Sequence, residues 1–150
     1  ALSSNQNLDF IFERDGELVD LGKTQLAYSP NLISGSSLTY AASTNFQITL
    51  LSKFVGKQYM GNIDSENSIL PSYFINDLNI SYVWRPNKLL KEIQFSFLIN
   101  NLLNKQYESN GYFYTYNDTW SAPGKITTIE GAGFYPQAGI NFLTGLMIKF

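Results

Sequence analysis

The residues best suited to ligand binding in this chain are aromatic and lie close together in the sequence. Tyr112, Tyr114 and Tyr116 occupy alternate positions, and Trp120 follows them. Alternate side chains of a strand share one face, so these rings could stack on a ligand. The same spacing is typical of an extended hairpin stabilised by cross-strand aromatic contacts. Both interpretations are open, and we favour the second.

A second candidate site is the acidic stretch GNIDSENS, residues 61–68. The carboxylates of Asp64 and Glu66 could offer oxygen ligands to calcium. Their spacing matches neither the EF-hand loop nor another specific calcium motif. A solvated acidic loop is the simpler explanation, and we predict no metal site.

Catalytic chemistry is restricted by two absences, since the chain contains no histidine and no cysteine. The most common general base and zinc ligand are therefore missing, and a Ser-His hydrolase site is excluded. No two carboxylates are placed by the sequence for paired acid and base roles. We expect a protein that is not an enzyme and that needs no cofactor.

The charge of the chain is low, with 15% charged residues and a formal net charge of -2. A nucleic-acid surface needs clustered Lys and Arg, so nucleic acid is not an expected partner. No apolar run approaches the ~20 residues of a membrane helix. There is no recognisable signal peptide, so in an exported protein the signal would lie upstream of Ala1.

A period of two between apolar and polar residues recurs along the chain and predicts strands. In EIQFSFLIN, for example, Phe95 and Phe97 share one face while Gln94 and Ser96 share the other. No helical period of comparable strength occurs. We predict an all-β chain of about six antiparallel strands at 1–13, 31–42, 45–60, 73–85, 92–107 and 140–150.

The predicted connections alternate between short and long. A tight turn at 42–45 and a link at 85–92, in which Pro86 stops a strand, are short. The segments 14–30, 61–72 and 108–133 are long and polar. All short turns then lie on one side of the sheet and all long loops on the other. With strands longer than about 5–6 residues, this asymmetry is typical of a transmembrane β-barrel.

A lipid-facing wall would also accommodate the 10 Tyr and 11 Phe, because such walls carry aromatic girdles at both interfaces. The predicted girdle residues are Phe46, Tyr82, Trp84 and Phe150 near the short turns, and Phe54, Tyr59, Tyr73, Phe74, Tyr107 and Tyr135 near the long loops. A soluble sandwich or lipocalin-like barrel would turn the same apolar face inward. Strand length, loop asymmetry and paired girdles favour the membrane wall.

Three stretches of the chain carry a family resemblance. NDLNISYVW, FLINNLLNKQYESNGYFYTY and YPQAGINFLTGLMIKF are similar to the C-terminal strands of TonB-dependent outer-membrane receptors, in particular those of Bacteroidetes. The core of the resemblance is N-N-L-x-N-x-x-Y at Asn100 to Tyr107, combined with YPQAG and a strand that ends in Phe150. It covers the chain from about residue 31 onward.

This resemblance implies a barrel of about 22 strands, plugged from within, in the outer membrane of a Gram-negative bacterium. Such receptors take up scarce nutrients with energy delivered through TonB. The long loops would be extracellular, and the last strand would bring Phe150 to the periplasmic side. Phe150 matches the terminal aromatic residue of the assembly signal, which implies the barrel-assembly machinery as a partner. Outer-membrane lipid and a surface lipoprotein are the other partners that the resemblance implies.

The chain lacks a plug and a TonB-contacting segment, and about six strands cannot close a barrel when the smallest need about 8. An open sheet would leave unsatisfied backbone groups in lipid. We therefore expect residues 1–150 to be the C-terminal part of a larger barrel, with the plug absent from this chain. The alternative is a passive, porin-like or structural outer-membrane barrel that another chain completes.

Overall fold

The structure is a computed structural model that describes residues 1–86 and 90–150. The described chain is all-β. The strands are β1 (Gln6–Asn7), β2 (Ile11–Arg14), β3 (Glu17–Asp20), β4 (Thr24–Gln25), β5 (Ile33–Ser43), β6 (Phe46–Val55), β7 (Gln58–Tyr59), β8 (Ile69–Leu70), β9 (Tyr73–Trp84), β10 (Glu92–Asn100), β11 (Glu108–Asp118), β12 (Thr127–Pro136) and β13 (Asn141–Lys149). The pairings β1–β4, β2–β3, β7–β8, β9–β10, β10–β13 and β11–β12 are antiparallel. A short 3₁₀ helix spans Glu66–Ser68.

The chain divides into two compact units. The unit that we call the sheet unit comprises 34–54, 74–106 and 138–150, and the loop unit comprises 1–33, 55–73 and 107–137. Within residues 1–86 and 90–150, no helix is both long and apolar enough to cross a membrane.

The sheet unit is built on one five-stranded sheet in the order β13-β10-β9-β6-β5. Strands that are neighbours in this sheet also follow one another along the chain when only its five strands are counted, so the sheet is a meander. A turn at Thr44 and Asn45 joins β5 to β6, whereas 56–72 separate β6 from β9 and 101–140 separate β10 from β13. The predicted short turn at 42–45 and the long connections that follow β6 and β10 are confirmed. The predicted loop 14–30 joins no two described strands of this sheet, and part of the predicted short link, residues 87–89, lies outside the described residues.

The register gives this sheet two chemically distinct faces. Phe95 lies opposite Tyr82 on one side and Leu146 on the other. Ser96, on the reverse face, lies opposite Ser81 and Gly145. The apolar face, as defined by these registers, consists of Leu78, Ile80, Tyr82, Trp84, Ile93, Phe95, Phe97, Ile99, Phe142, Leu146 and Ile148.

The apolar face of the sheet is not covered. Phe142 is 59% exposed and Leu146 60%, and among the residues of this face only Ile93 is buried. A sheet in a soluble domain normally packs such a face against a second layer. Among the described residues, named strands flank β13 and β5 on one side only, so the sheet is open. The start of β5 is the exception, since Ile33 exchanges backbone hydrogen bonds with Ala1.

The loop unit, in contrast, buries side chains of its own. Its strands pair as β1 with β4, β2 with β3, β7 with β8, and β11 with β12. Leu70, which is 1% exposed, is buried together with Val55, Met60 and Tyr73. The ring of Tyr73 packs against that of Tyr107, with centroids 4.5 Å apart and an interplanar angle of 32°. Because Tyr73 is buried in the loop unit, the prediction that it belongs to a lipid-facing girdle is wrong.

Residues 1–13 do not form the predicted sixth strand of the sheet. Asp9 has a positive φ of 56°, which interrupts the extended backbone. A turn at Asp15 and Gly16 then pairs β2 with β3. The alternation of Leu8, Phe10 and Phe12 on which the prediction rested is therefore split between separate short elements.

The predicted strand 92–107 is also shorter than expected, because the backbone turns at an asparagine cluster. β10 ends at Asn100, and Asn101 and Asn104 have φ values of 50° and 49°. Asn is one of the few residue types that tolerate this conformation. The Nδ2 group of Asn101 donates to the carbonyl oxygens of Lys105 at 2.8 Å and Ala138 at 3.1 Å.

Further hydrogen bonds complete the asparagine cluster. The backbone N–H of Asn101 donates to Asp77 at 2.8 Å, and the N–H of Ile140 donates to Oδ1 of Asn104 at 2.9 Å. A Cβ at Gly139 would lie 2.6 Å from that same oxygen. The N-N-L-x-N and YPQAG stretches thus meet, and their Asn, Ala and Gly residues form one hydrogen-bonded turn.

Candidate functional site

The aromatic candidates lie on the hairpin formed by β11 and β12. Tyr112 pairs with Gly133, Tyr114 with Gly131 and Tyr116 with Ile129. The predicted hairpin is present, but its ring contacts run mainly along β11. Tyr112 contacts Tyr135 across the strands, whereas the contacts of Tyr114 with Tyr112 and Tyr116 lie within one strand. The three tyrosines share one face of the hairpin.

The rings of this face form a row, which we call the aromatic row: Tyr112, Tyr114, Tyr116 and Trp120. Successive centroids lie 6.2 Å, 6.4 Å and 6.0 Å apart, with interplanar angles of 18°, 17° and 5°. Each side chain is at least 43% exposed, and Trp120 reaches 70%. The four candidate ligand-contact residues are therefore aligned and accessible.

Glycines on the neighbouring strand make room for these rings. The Tyr114 ring lies against Gly131 and the Tyr112 ring against Gly133, and a Cβ at either position would force the ring to move. Aromatic rings that cover cross-strand glycines shield backbone that would otherwise be open. The row is therefore held against the hairpin rather than extended freely into solvent.

Trp120 is aligned with the row by an aspartate turn. Oδ1 of Asp118 accepts the backbone N–H groups of Trp120 at 3.0 Å and Ser121 at 3.1 Å. The hydroxyl and N–H of Ser121, followed by the N–H of Trp120, lower the pKa of Asp118 below its usual value. Asp118 therefore stays ionised and places a negative charge at this end of the row.

The reverse face of the hairpin is anchored to other parts of the loop unit. The Phe113 ring contacts Gly61, where a Cβ would lie 2.5 Å from the ring. The carboxylate of Glu130 accepts a hydrogen bond from the Ser65 hydroxyl and another, at 3.0 Å, from the Asn67 amide. These contacts hold one face of the hairpin and leave the aromatic row on the other.

A second set of contacts anchors the tip of the hairpin. Asp15 and Thr128 form a reciprocal pair, in which each backbone N–H donates to the other's side-chain oxygen at 2.7 Å. The Asn117 amide donates to Glu13 at 2.7 Å. Because the bonded residues are distant in sequence, periodicity gave no indication of this anchoring.

Sequence reasoning also missed Tyr135 as a neighbour of the row. Its ring lies 6.0 Å from that of Tyr112, at an angle of 49°. The G-x-G spacing of Gly131 and Gly133 opposite an alternating tyrosine run is a signal that could have identified the whole surface.

The acidic stretch has a structural role in the loop unit. Oδ1 of Asp64 accepts the backbone N–H of Gln25 at 2.8 Å, and Glu66 begins the 3₁₀ helix. Among the described residues, no three His, Cys, Asp or Glu side chains are grouped so that they could hold a metal ion.

The remaining candidate residues lie in or next to β-strands. Phe150 follows directly after β13 and is 78% exposed. Near the short connections of the sheet, Glu92 pairs with Lys149 at 2.7 Å and Arg85 at 3.1 Å. Lys57 belongs to the loop unit, and its Nζ donates to the Tyr59 hydroxyl at 3.3 Å.

Comparison of the chain with protein-family models, curated proteins and solved structures finds no match.

Proposed function

We propose that the sheet unit is part of the wall of a transmembrane β-barrel, and that the chain is the C-terminal portion of a TonB-dependent outer-membrane transporter. The family assignment rests on the resemblance of the N-N-L-x-N and YPQAG stretches. The membrane assignment rests on the exposed apolar face of the five-stranded sheet.

The apolar face supports this proposal because exposing so much apolar surface to water is energetically unfavourable. Phe95, Phe142 and Leu146 lie in adjacent strands, so their exposed surfaces belong to one continuous area. Large exposed apolar patches on soluble proteins mark interaction or membrane surfaces. Lipid tails would remove this area from water with no second protein layer.

The reverse face has the polarity that a barrel interior requires. Asn100 and Asn141 face each other across β10 and β13, and their amides are hydrogen-bonded at 2.9 Å. Thr39 and Thr49 approach within 3.0 Å of each other, and Glu92 is paired with two cations. Outer-membrane barrels alternate apolar residues toward lipid with polar residues toward the lumen.

The open edges of β5 and β13 support the idea that the sheet is one part of a wall. In lipid each unpaired backbone group costs several kcal/mol, so further strands of the receptor barrel would pair with both edges. In this arrangement the plug occupies the lumen, TonB acts on the plug, and the long connections face the exterior. Phe150 would lie on the periplasmic side, where the barrel-assembly machinery reads its signal.

The test introduces a charge on either face of β10. Phe95→Arg should reduce the amount of folded, heat-modifiable protein in outer-membrane fractions, since Arg on a lipid face costs about 2–4 kcal/mol near the midplane. Gln94→Arg, on the reverse face, is the matched control and should assemble normally. Equal assembly of the two variants would contradict a lipid-facing Phe95, because a solvent-exposed Phe→Arg change costs little in a soluble protein.

Energised transport is tested separately from membrane insertion. Uptake through the native receptor that contains this chain should stop when TonB is deleted or the proton gradient is collapsed, while the level of folded receptor stays the same. Uptake that persists without TonB would replace the transporter with a passive, porin-like barrel.

A further inference from the structure

We propose that the aromatic row binds an extended, cationic polypeptide with Lys or Arg at every second position. This ligand class goes beyond the transporter proposal. It depends on that proposal only for the side of the membrane on which the peptide arrives, and a binding experiment tests it independently.

The spacing of the rings matches a second extended chain. The centroids from Tyr112 to Trp120 follow one another at 6.2, 6.4 and 6.0 Å. Alternate side chains on one face of a strand are about 6.6 Å apart, twice the rise of about 3.3 Å per residue. A peptide in extended conformation can therefore place one side chain over each successive ring.

The charge of the loop unit favours a cationic ligand. This unit contains ten of the twelve acidic residues and four of the ten basic residues, which gives it a formal charge of -6. The sheet unit carries +4 by the same count. A region of one sign raises the local concentration of oppositely charged ligands and speeds their association.

The aromatic row offers ring faces, with the carboxylate of Asp118 at one end. The other carboxylates of the hairpin strands are Glu108 and Glu130, and the cation Lys125 lies in the connecting loop. Neither β11 nor β12 contains Lys or Arg, and Asp118 is ionised beside Trp120. Lys and Arg bind to the faces of aromatic rings, with Trp the best of them.

The loop unit already contains contacts of this kind. Nζ of Lys57 lies 5.1 Å from the centroid of the Tyr59 ring, and the Arg14 guanidinium lies 5.8 Å from that of Phe12. Cations supplied by a peptide would meet the same chemistry on the aromatic row. The anchored reverse face keeps the row in place before the ligand arrives, which reduces the ordering cost of binding.

The experiment measures binding of short synthetic peptides to the full chain in detergent micelles by isothermal titration calorimetry. The probe alternates Lys and Thr. Its controls are a peptide of the same composition with all Lys in one block, a peptide in which Glu replaces Lys, and a neutral oligosaccharide. The alternating Lys peptide should bind most tightly, and added salt should weaken it because the contacts are exposed.

Ring variants identify where the peptide binds. Tyr114→Leu combined with Tyr116→Leu should weaken binding about tenfold, as the loss of two exposed cation–π contacts predicts. Tyr114→Phe combined with Tyr116→Phe keeps both ring faces and should bind like the native chain. Tyr40→Leu, which changes an exposed tyrosine of the sheet unit, is the matched control and should have no effect.

Three results would overturn the proposal, and none requires the Leu variant to fold. They are equal affinity for the alternating and block peptides, tighter binding of the oligosaccharide than of the Lys peptide, and loss of binding in the Phe variant, which would assign recognition to the hydroxyls. Failure of Phe95→Arg to impair assembly would instead contradict the membrane wall and leave this inference unaffected.

Discussion

The two units of this protein differ in where they place apolar side chains. The loop unit buries Val55, Met60, Leu70 and Tyr73. Among the described residues of the sheet unit, Ile93 is the only buried apolar residue. The loop unit therefore has a small hydrophobic core of its own. The described residues of the sheet unit have regular hydrogen bonding, and their apolar face is largely exposed.

The largest effect is expected from a cavity in the core of the loop unit. Leu70→Ala should destabilise that unit by roughly 2–5 kcal/mol, since Leu70 is 1% exposed and its loss leaves a void. Hydrogen exchange should accelerate at β7 and β8 while the β10 amides keep their protection. Leu18→Ala, at a residue 77% exposed, is the control and should change neither. Faster exchange throughout both units would contradict an effect confined to the core of the loop unit.

A smaller effect is expected in the sheet unit, where polar contacts replace a core. Asn101 is 4% exposed, and its side chain makes three hydrogen bonds. Asn101→Ala removes them and should lower the free energy of unfolding by about 2–3 kcal/mol. The midpoint of chemical unfolding in micelles should fall accordingly.

Two further variants make the asparagine prediction specific. Asn101→Gly keeps the positive φ available and should cost less than Asn101→Ala, and the difference measures backbone strain. Asn79→Ala, on the same sheet, changes an exposed amide and should be neutral. Equal effects of Asn101→Ala and Asn79→Ala would show that the cluster does not stabilise the turn.

The smallest effect concerns pH at the tip of the hairpin. The pKa of Asp118 is lowered in the folded state. The stability that its carboxylate gives to the turn is therefore complete above the unfolded pKa, and it is lost as the pH falls through the folded pKa. The substitution Trp84→Phe leaves Trp120 as the single tryptophan. Its fluorescence should stay constant as the pH is lowered from neutral and should change only when the pH falls below about 4. Asp118→Asn should remove this acidic transition, and an unchanged transition in that variant would assign it to another group.

Period-two patterns predicted the sheet well because one side chain in two faces the same environment. Phe95, Tyr82 and Leu146 were expected on one face, and the register places them in adjacent strands. The same patterns failed at Asp9 and Asn101, because a single positive φ ends a strand without changing the apolar alternation around it.

The candidate site was predicted in part for a related reason. The run from Tyr112 to Tyr116 is visible in the sequence, since it lies within one strand. The glycines that the rings cover and the anchoring by Asp15 and Glu130 are not visible. These contacts join residues far apart in the chain, and local periodicity contains no information about them.

The separation between β10 and β13 also has a consequence for the order of folding. Pairing these strands directly would close a loop of residues 101–140, and the entropy lost in closing a loop grows with its length. The hairpin of β11 and β12 consists of local contacts and can form first, which shortens the flexible chain to the segments on either side of it. Asn101, which bonds to both Lys105 and Ala138, joins those two segments. The hairpin and the asparagine cluster would therefore bring the last strand of the sheet into register.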